Sequence, residues 1–302
     1  VGANGSLTGF AGGLERKQES ALILEAAPHL EDFLGDLFGI GPELHALRAR
    51  HHRLAPMLAL KRTFVVKRAI SGVSAATAEA IDGPAVELEL ERLFGEPVTD
   101  ESFAAHVTGW LADEPAHTAE VALAVEFAAW SALSAAGRKR NHKGVLFHTP
   151  HKLVMEHLVD VAVEEKDGIP RFRLPDDELR HRDGFGLTDA GMDLTRAVGQ
   201  AHYCIKCHNQ GKDSCSTGLR EKTGEFKKTV FGVTLAGCPL EEKISEMNVL
   251  KEQGSPIAAL AVVAIDNPLT AATGHRICND CMKSCIYQKQ DPVDIPQIET
   301  RT

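Results

Sequence analysis

The stretch "HYCIKCHNQGKDSC", His202 to Cys215, decides how the chain is read. It contains Cys204-Ile-Lys-Cys207-His208. C-x-x-C-H on its own is the attachment signal for a c-type haem, and C-x-x-C alone suits half a zinc site, a redox dithiol or the first ligands of an iron–sulfur cluster. The other cysteines choose among these. The chain has 7: Cys204, Cys207, Cys215, Cys238, Cys278, Cys281 and Cys285. None precedes Cys204, so the sequence falls into a cysteine-free first part and a cysteine-bearing last part.

The remaining composition is that of a folded globular chain, with 43% hydrophobic and 25% charged residues among 302. The net charge of −9 gives no sign of nucleic-acid binding. From Cys204 onward 12 basic residues balance 12 acidic ones, so the acidic excess lies in the first part. The most apolar run, "VALAVEFAAWSALSAAG", carries Glu126 and is too short to span a bilayer. No signal peptide is visible, and a cytoplasmic location is expected. The chain starts at Val1 and stops after "PVDIPQIETRT" without a closing signal, so both ends read as cuts in a longer protein.

Residues 1–190 read as a helical region of unassigned role. "ERKQESALILEAA" ends at Pro28, "HLEDFLGDLFGI" ends at a Gly-Pro, and the helical run after it breaks near Pro56. "DEPAHTAEVALAVEFAAWSALSAAGRKRN" reads as one helix, with acids and Pro115 at its start and Gly137 with Arg138, Lys139 and Arg140 at its end. "GIPRFRLP" suits a short strand or an extended linker. The pairs His51/His52 and His148/His151 lack the spacing and third ligand of a metal site, and read as surface or capping histidines. Neither "GANGSLTGFAGG" nor "GFGLTDAG" has the dinucleotide-binding spacing.

Residues 191–302 also read as helical. Thr188 is the expected N-cap of a helix running into Cys204. "LEEKISEMNVLKEQG" puts Ile244, Met247 and Leu250 on one face and ends at Gly254, and "SPIAALAVVAIDNP" enters at Ser-Pro and stops before Pro268. Two helices therefore separate two cysteine groups whose loops can meet in space.

Disulfides leave one cysteine over, and a c-type haem leaves five unused. Zinc held by Cys204, Cys207, Cys278 and Cys281 leaves Cys215, Cys238 and Cys285 without a task. Iron–sulfur chemistry uses all of them: Cys204, Cys207 and Cys215 form one triple, Cys278-x2-Cys281-x3-Cys285 another, and Cys238-Pro239 has the Cys-Pro pairing common after a cluster ligand. Two 4Fe–4S cubes want about eight ligands, one more than the thiolates present.

From residue 185 or so to the end, "CIKC…C…GCPLEEKISEMNVL…DNPLTAATGHRICNDCMKSC…PVDIPQIE" resembles the N-terminal helical ferredoxin domain of the glutamate synthase small subunit and the corresponding domain of dihydropyrimidine dehydrogenase. It is similar above all to a group of large FAD-dependent oxidoreductases of that superfamily. The resemblance implies a mainly α protein with an α-helical ferredoxin domain over 191–302 and two 4Fe–4S clusters with crossed ligation. Cys204, Cys207, Cys215 and Cys285 would hold one cube, and Cys238, Cys278 and Cys281 the other. Its eighth ligand is a glutamine or glutamate after a "P-V/I-x-I" segment, a place taken here by Glu299. An anionic oxygen there lowers that cluster's potential relative to a neutral amide. Gln288, Gln290 and water remain alternatives. Two departures leave the division of ligands open: a long gap from Cys207 to Cys215, and about twenty inserted residues, "STGLREKTGEFKKTVFGVTLAG", before Cys238. His208 is then either a hydrogen-bond donor to cluster sulfur or a solvent-facing residue.

The chain so read is the electron-transfer portion of a glutamate synthase-like FAD-dependent NAD(P)H oxidoreductase. FAD and NAD(P) are expected only in downstream domains, and the partners are that flavin domain and another redox subunit. No residue here is a candidate for bond-making catalysis. The competing reading is a zinc-stabilised helical interaction module without redox activity.

Overall fold

The computed structural model describes residues 14–152, 161–176, 179, 181–186, 191–273 and 278–302. The fold is mainly α, as expected. The sequence readings at Thr188 and at "GANGSLTGFAGG" lie outside the described residues, as do parts of "GFGLTDAG" and "TGHRIC".

Helix α1 (Arg16–Phe38) passes through Pro28 without a break and closes on Gly39, whose φ of 64° lies in the left-handed region. The expected break at Pro28 is corrected: the missing N–H and ring clash cost about 3 kcal/mol, but Ala27, Glu31 and Gly35 are buried on one face of the continuous helix. Glu31 is fully buried and accepts from the Ala258 amide at 2.7 Å and from Arg48 Nε at 2.5 Å. Then come α2 (Gly41–His52), α3 (Ala55–Leu60), which has Pro56 in its first turn, and a π-helix over Lys61–Ile70. Next are α4 (Ala75–Glu79), α5 (Gly83–Phe94) and α6 (Asp100–Ala112), the last closed at its start by a Thr99/Ser102 capping box.

The single helix expected through Gly137 is two, α7 (Thr118–Leu133) and α8 (Ala135–Arg140). Ser134 turns extended and its Oγ accepts from the Gly137 amide at 2.9 Å, which starts a new helix. Gly137 is therefore no helix stop. A Cβ there would lie 2.1 Å from the Trp130 carbonyl, so glycine is what lets α8 fold back on α7. Phe147 meets Phe103 and Phe127 edge-on in this first core, while Phe103 and Phe127 are tilted against each other, with ring centroids 5.0–5.8 Å apart.

"GIPRFRLP" does contain a strand. β1 (Ala162–Lys166) pairs antiparallel with β2 (Ile169–Arg173) across Asp167-Gly168, both with positive φ, the pattern of a type I′ hairpin. In the last part α9 (Leu194–Tyr203) is capped by Asp193, whose Oδ1 accepts from the Arg196 amide at 2.8 Å. It leads through α10 (Ser214–Thr217), α11 (Ile244–Gln253), α12 (Pro256–Asp266) and α13 (Thr270–Thr273) to α14 (Asp280–Ser284) and α15 (Ile295–Arg301).

Ile244, Met247 and Leu250 form the expected buried face of α11, which ends at left-handed Gly254. They pack with Ala258, Val262, Ile295, Ile298, Cys281 and Cys285 in a second core. Packing does not follow the sequence boundary, because Ala27 of α1 belongs to this core as well. Arg16 Nη1 also donates to Thr217 Oγ1 at 3.0 Å.

Candidate metal centre

Cys204 ends α9, and Lys206 then turns left-handed with φ 55°. That conformation costs a non-glycine residue roughly 1–2 kcal/mol, and it brings Cys204 and Cys207 to one cavity. Glu252 on α11 holds the turn, meeting Lys206 Nζ and His202 Nδ1, each at 2.7 Å. Burial pushes the Glu252 carboxyl up, but the His202 hydrogen bond and the Lys206 charge outweigh it and hold its pKa at about 2. The sign follows: a depressed carboxyl contributes stability above its unfolded value near 4.3 and loses it as pH falls towards 2. Glu252→Gln should lower the thermal midpoint at pH 7 by about 2–4 °C per kcal/mol lost. It should also flatten the acid limb of a pH titration of stability, and an unchanged limb would contradict the clamp.

Cys215 on α10 and Cys285 after α14 complete this first cavity of about 330 Å³, lined also by Ile205, Ser245, Asn248, Tyr287, Val293 and Ile295. The Lys206 amide donates to Cys204 Sγ at 3.5 Å, and the Val293 and Tyr287 amides lower the Cys285 thiol's pKa against the larger effect of burial. Asn248 is fully buried, and neither its Oδ1 nor its Nδ2 has a partner among the described residues.

The inserted residues do not separate the ligands. They leave at Gly218 and return at Gly237, as antiparallel bridges Arg220–Phe226 and Lys228–Thr234. Gly237 has φ 86°, and a Cβ there would lie 2.5 Å from the Gly218 nitrogen, so the two ends close on glycine. The Cys238 amide consequently donates to the Cys215 carbonyl at 2.8 Å. Cys238 faces a second cavity of about 1050 Å³ together with Cys278, Cys281, Glu299 and Glu242. The Leu240 and Glu242 amides lower the Cys238 thiol's pKa against the larger effect of burial, and Glu241 between them has a left-handed φ of 51°.

The two ligand sets implied by the resemblance thus fall on two cavities, and Cys281 and Cys285 of one short segment serve different ones. All seven thiols are free. The two pairs a zinc tetrahedron would need, Cys204/Cys207 and Cys278/Cys281, are on separate cavities. Zinc wants its thiolates about 4 Å apart, and among the described residues no three His, Cys, Asp or Glu side chains converge on a point for one ion. Four donors spread around a cavity, sulfur-directed amides and an orphaned Asn248 fit a larger group. Burial pushes the Cys207 thiol up to about 11 and raises those of Cys215, Cys238, Cys281 and Cys285, so binding must displace protons.

His208 is not solvent-facing, and its buried Nε2 has no partner among the described residues. It is buried, its Nδ1 pairs with Ser245 Oγ at 2.6 Å, and it lines a separate cavity with Arg16, Ser20 and Glu246. His208→Ala should leave iron content intact, cost about 1–3 kcal/mol of stability and give a negative pyridine haemochrome test; covalent haem would overturn this. His51, read as surface or capping, is in fact buried, with Nδ1 on the Leu47 carbonyl at 2.9 Å. His148 pairs with Asp291 at 2.7 Å. Asn248 and Glu252 were missed in the sequence. Their signal is polar residues stepping along α11 beside its apolar face, from Ser245 to Asn248 to Glu252.

The family described as the RP005 N-terminal alpha-helical domain matches residues 11–39, which include all of α1. The chain is 30% identical over 250 residues to "Uncharacterized protein RP005" of Rickettsia prowazekii (strain Madrid E), covering 78% of this chain and 81% of that protein. It is also 78% identical over 32 residues to "Uncharacterized protein RP006" of the same organism, of which it spans 4%. No solved structure matches.

Proposed function

This chain belongs to the family of the Rickettsia prowazekii protein RP005, and we propose that it is an iron–sulfur electron-transfer protein holding two 4Fe–4S clusters. The observation that carries the proposal is that two cavities, joined through Cys215 and Cys238, each gather four donors. Cys204, Cys207, Cys215 and Cys285 hold one cluster; Cys238, Cys278, Cys281 and Glu299 hold the other. Bound clusters supply one-electron redox chemistry. The chain itself supplies position, dryness and charge. Buried Val293 and Ile295 give the first cavity an apolar wall, while backbone amides near Cys204, Cys238 and Cys285 favour the thiolate forms.

Cys278 is exposed, so the second cavity is the side on which a redox partner exchanges electrons. The partner is a flavin domain of glutamate synthase-like type, with FAD and NAD(P) outside this chain, or a second redox subunit; a cytoplasmic setting suits such chemistry. Among the described residues no helix is long and apolar enough to cross a membrane. Colour and spectrum test the reading. Anaerobic protein should be brown, with broad visible absorbance bleached by dithionite and an electron paramagnetic resonance signal appearing on reduction. Colourless, zinc-bearing protein would favour the interaction module instead.

A further inference from the structure

A third cavity lies where the first core meets α9. It is an open cavity of about 380 Å³ lined by Lys61, His142, His148, Arg196, Gln200 and Tyr203, with no carboxylate among its lining residues. We propose that it is a binding site for a phosphoryl group, free or carried on a small molecule. The proposal is independent of the clusters.

Lys61 is the unusual member. It is a buried lysine whose Nζ donates to the Val145 carbonyl at 2.7 Å, which leaves donors of its ammonium for another acceptor. Burial pushes its pKa down to about 8, against the raising effect of Asp100 and Asp291. Those two acids already have partners at the cavity's edge: Asp100 accepts from the Val145 and Leu146 amides at 2.6 and 2.9 Å, and Asp291 pairs with His148. A second observation is independent of charge. Lys61 opens the π-helix of Lys61–Ile70, a rare backbone form.

Arg196, in the first turn of α9, lines the same cavity, and its guanidinium makes no hydrogen bond or ion pair among the described residues. An ammonium and a planar guanidinium together match the charge and fork geometry of a phosphoryl dianion. The wall between them is tight and fixed. A Cβ at Gly199 would lie 2.5 Å from Val145 Cγ1, so α9 rests directly on the segment that holds Lys61. An occupant therefore ties the first core to α9.

The test is thermal unfolding of the full chain with inorganic phosphate or adenosine monophosphate, each against chloride at equal ionic strength. Saturating ligand, at about a hundredfold excess over Kd, should raise the midpoint by roughly 5 °C. Arg196→Gln, at a partly exposed position, should remove most of that rise. Lys61→Met should remove it too while raising the midpoint in chloride, because a buried charge has gone. Both variants should keep the wild-type iron content, which separates this result from any failure of the cluster reading. A response to phosphate alone identifies a free anion, and a response to the nucleotide alone identifies a phosphorylated small molecule. No response to either, or an undiminished response in Arg196→Gln, would overturn the proposal.

Discussion

Anaerobically prepared protein should contain about eight irons and eight inorganic sulfides per chain, two cubes of four. The expectation follows from the division of donors between two cavities rather than from the cysteine count alone. Substituting one donor should therefore act on one cavity. Cys204→Ser should disturb the cluster of the first cavity and Cys281→Ser that of the second, with the iron of each variant falling towards half. Iron, sulfide and visible absorbance, measured on the same sample, check this. About four irons in the unsubstituted chain would leave one cavity without its cluster. Zinc without sulfide would end the iron–sulfur reading altogether.

Glu299→Ala should convert the cube of the second cavity to a three-iron species, seen by electron paramagnetic resonance in the oxidised protein, while the first cube is untouched. Glu299 stands on α15 and lines the second cavity with Cys238, Cys278 and Cys281, whereas neither Gln288 nor Gln290 lines it. Burial pushes its carboxyl pKa up to about 9, and the neighbouring Glu242 carboxyl adds to the effect. Glu299 thus carries a proton that an iron ion would displace. Glu299→Cys should keep four irons with an altered potential, because thiolate replaces oxygen at the same corner. Glu299→Gln should keep them at a higher potential, since the anionic charge is gone. If Glu299→Ala leaves both clusters spectroscopically unchanged, the assignment fails, and Glu242 is the oxygen donor next in place.

The sequence carried the parts of this arrangement that depend on local chemistry. Pro256 and Gly254 mark a helix start and a helix end because each fits few backbone conformations, and α11 and α12 lie between such marks. The cysteine triples could be grouped because short spacing limits where their sulfurs can reach. What was not legible depends on distant packing. Pro28 reads as a break in any local window, yet the buried face of α1 carries the helix through it. Nothing local says that residues 218–237 leave and return, because that depends on two glycines meeting, Gly218 and Gly237. Asn248 reads as an ordinary polar residue until burial leaves both its polar atoms without partners.

One turn of helix has a kinetic consequence. Cys281 and Cys285 are separated by little more than the end of α14, yet they face different cavities. Filling either cavity fixes that segment, and with it a donor of the other. The Cys215–Cys238 backbone bond couples the pair a second time. Loading from the apo state should then be cooperative. In a titration of the unsubstituted chain with iron and sulfide, single-cube molecules should be fewer than independent loading gives, and a variant able to hold one cube should load it only at higher iron.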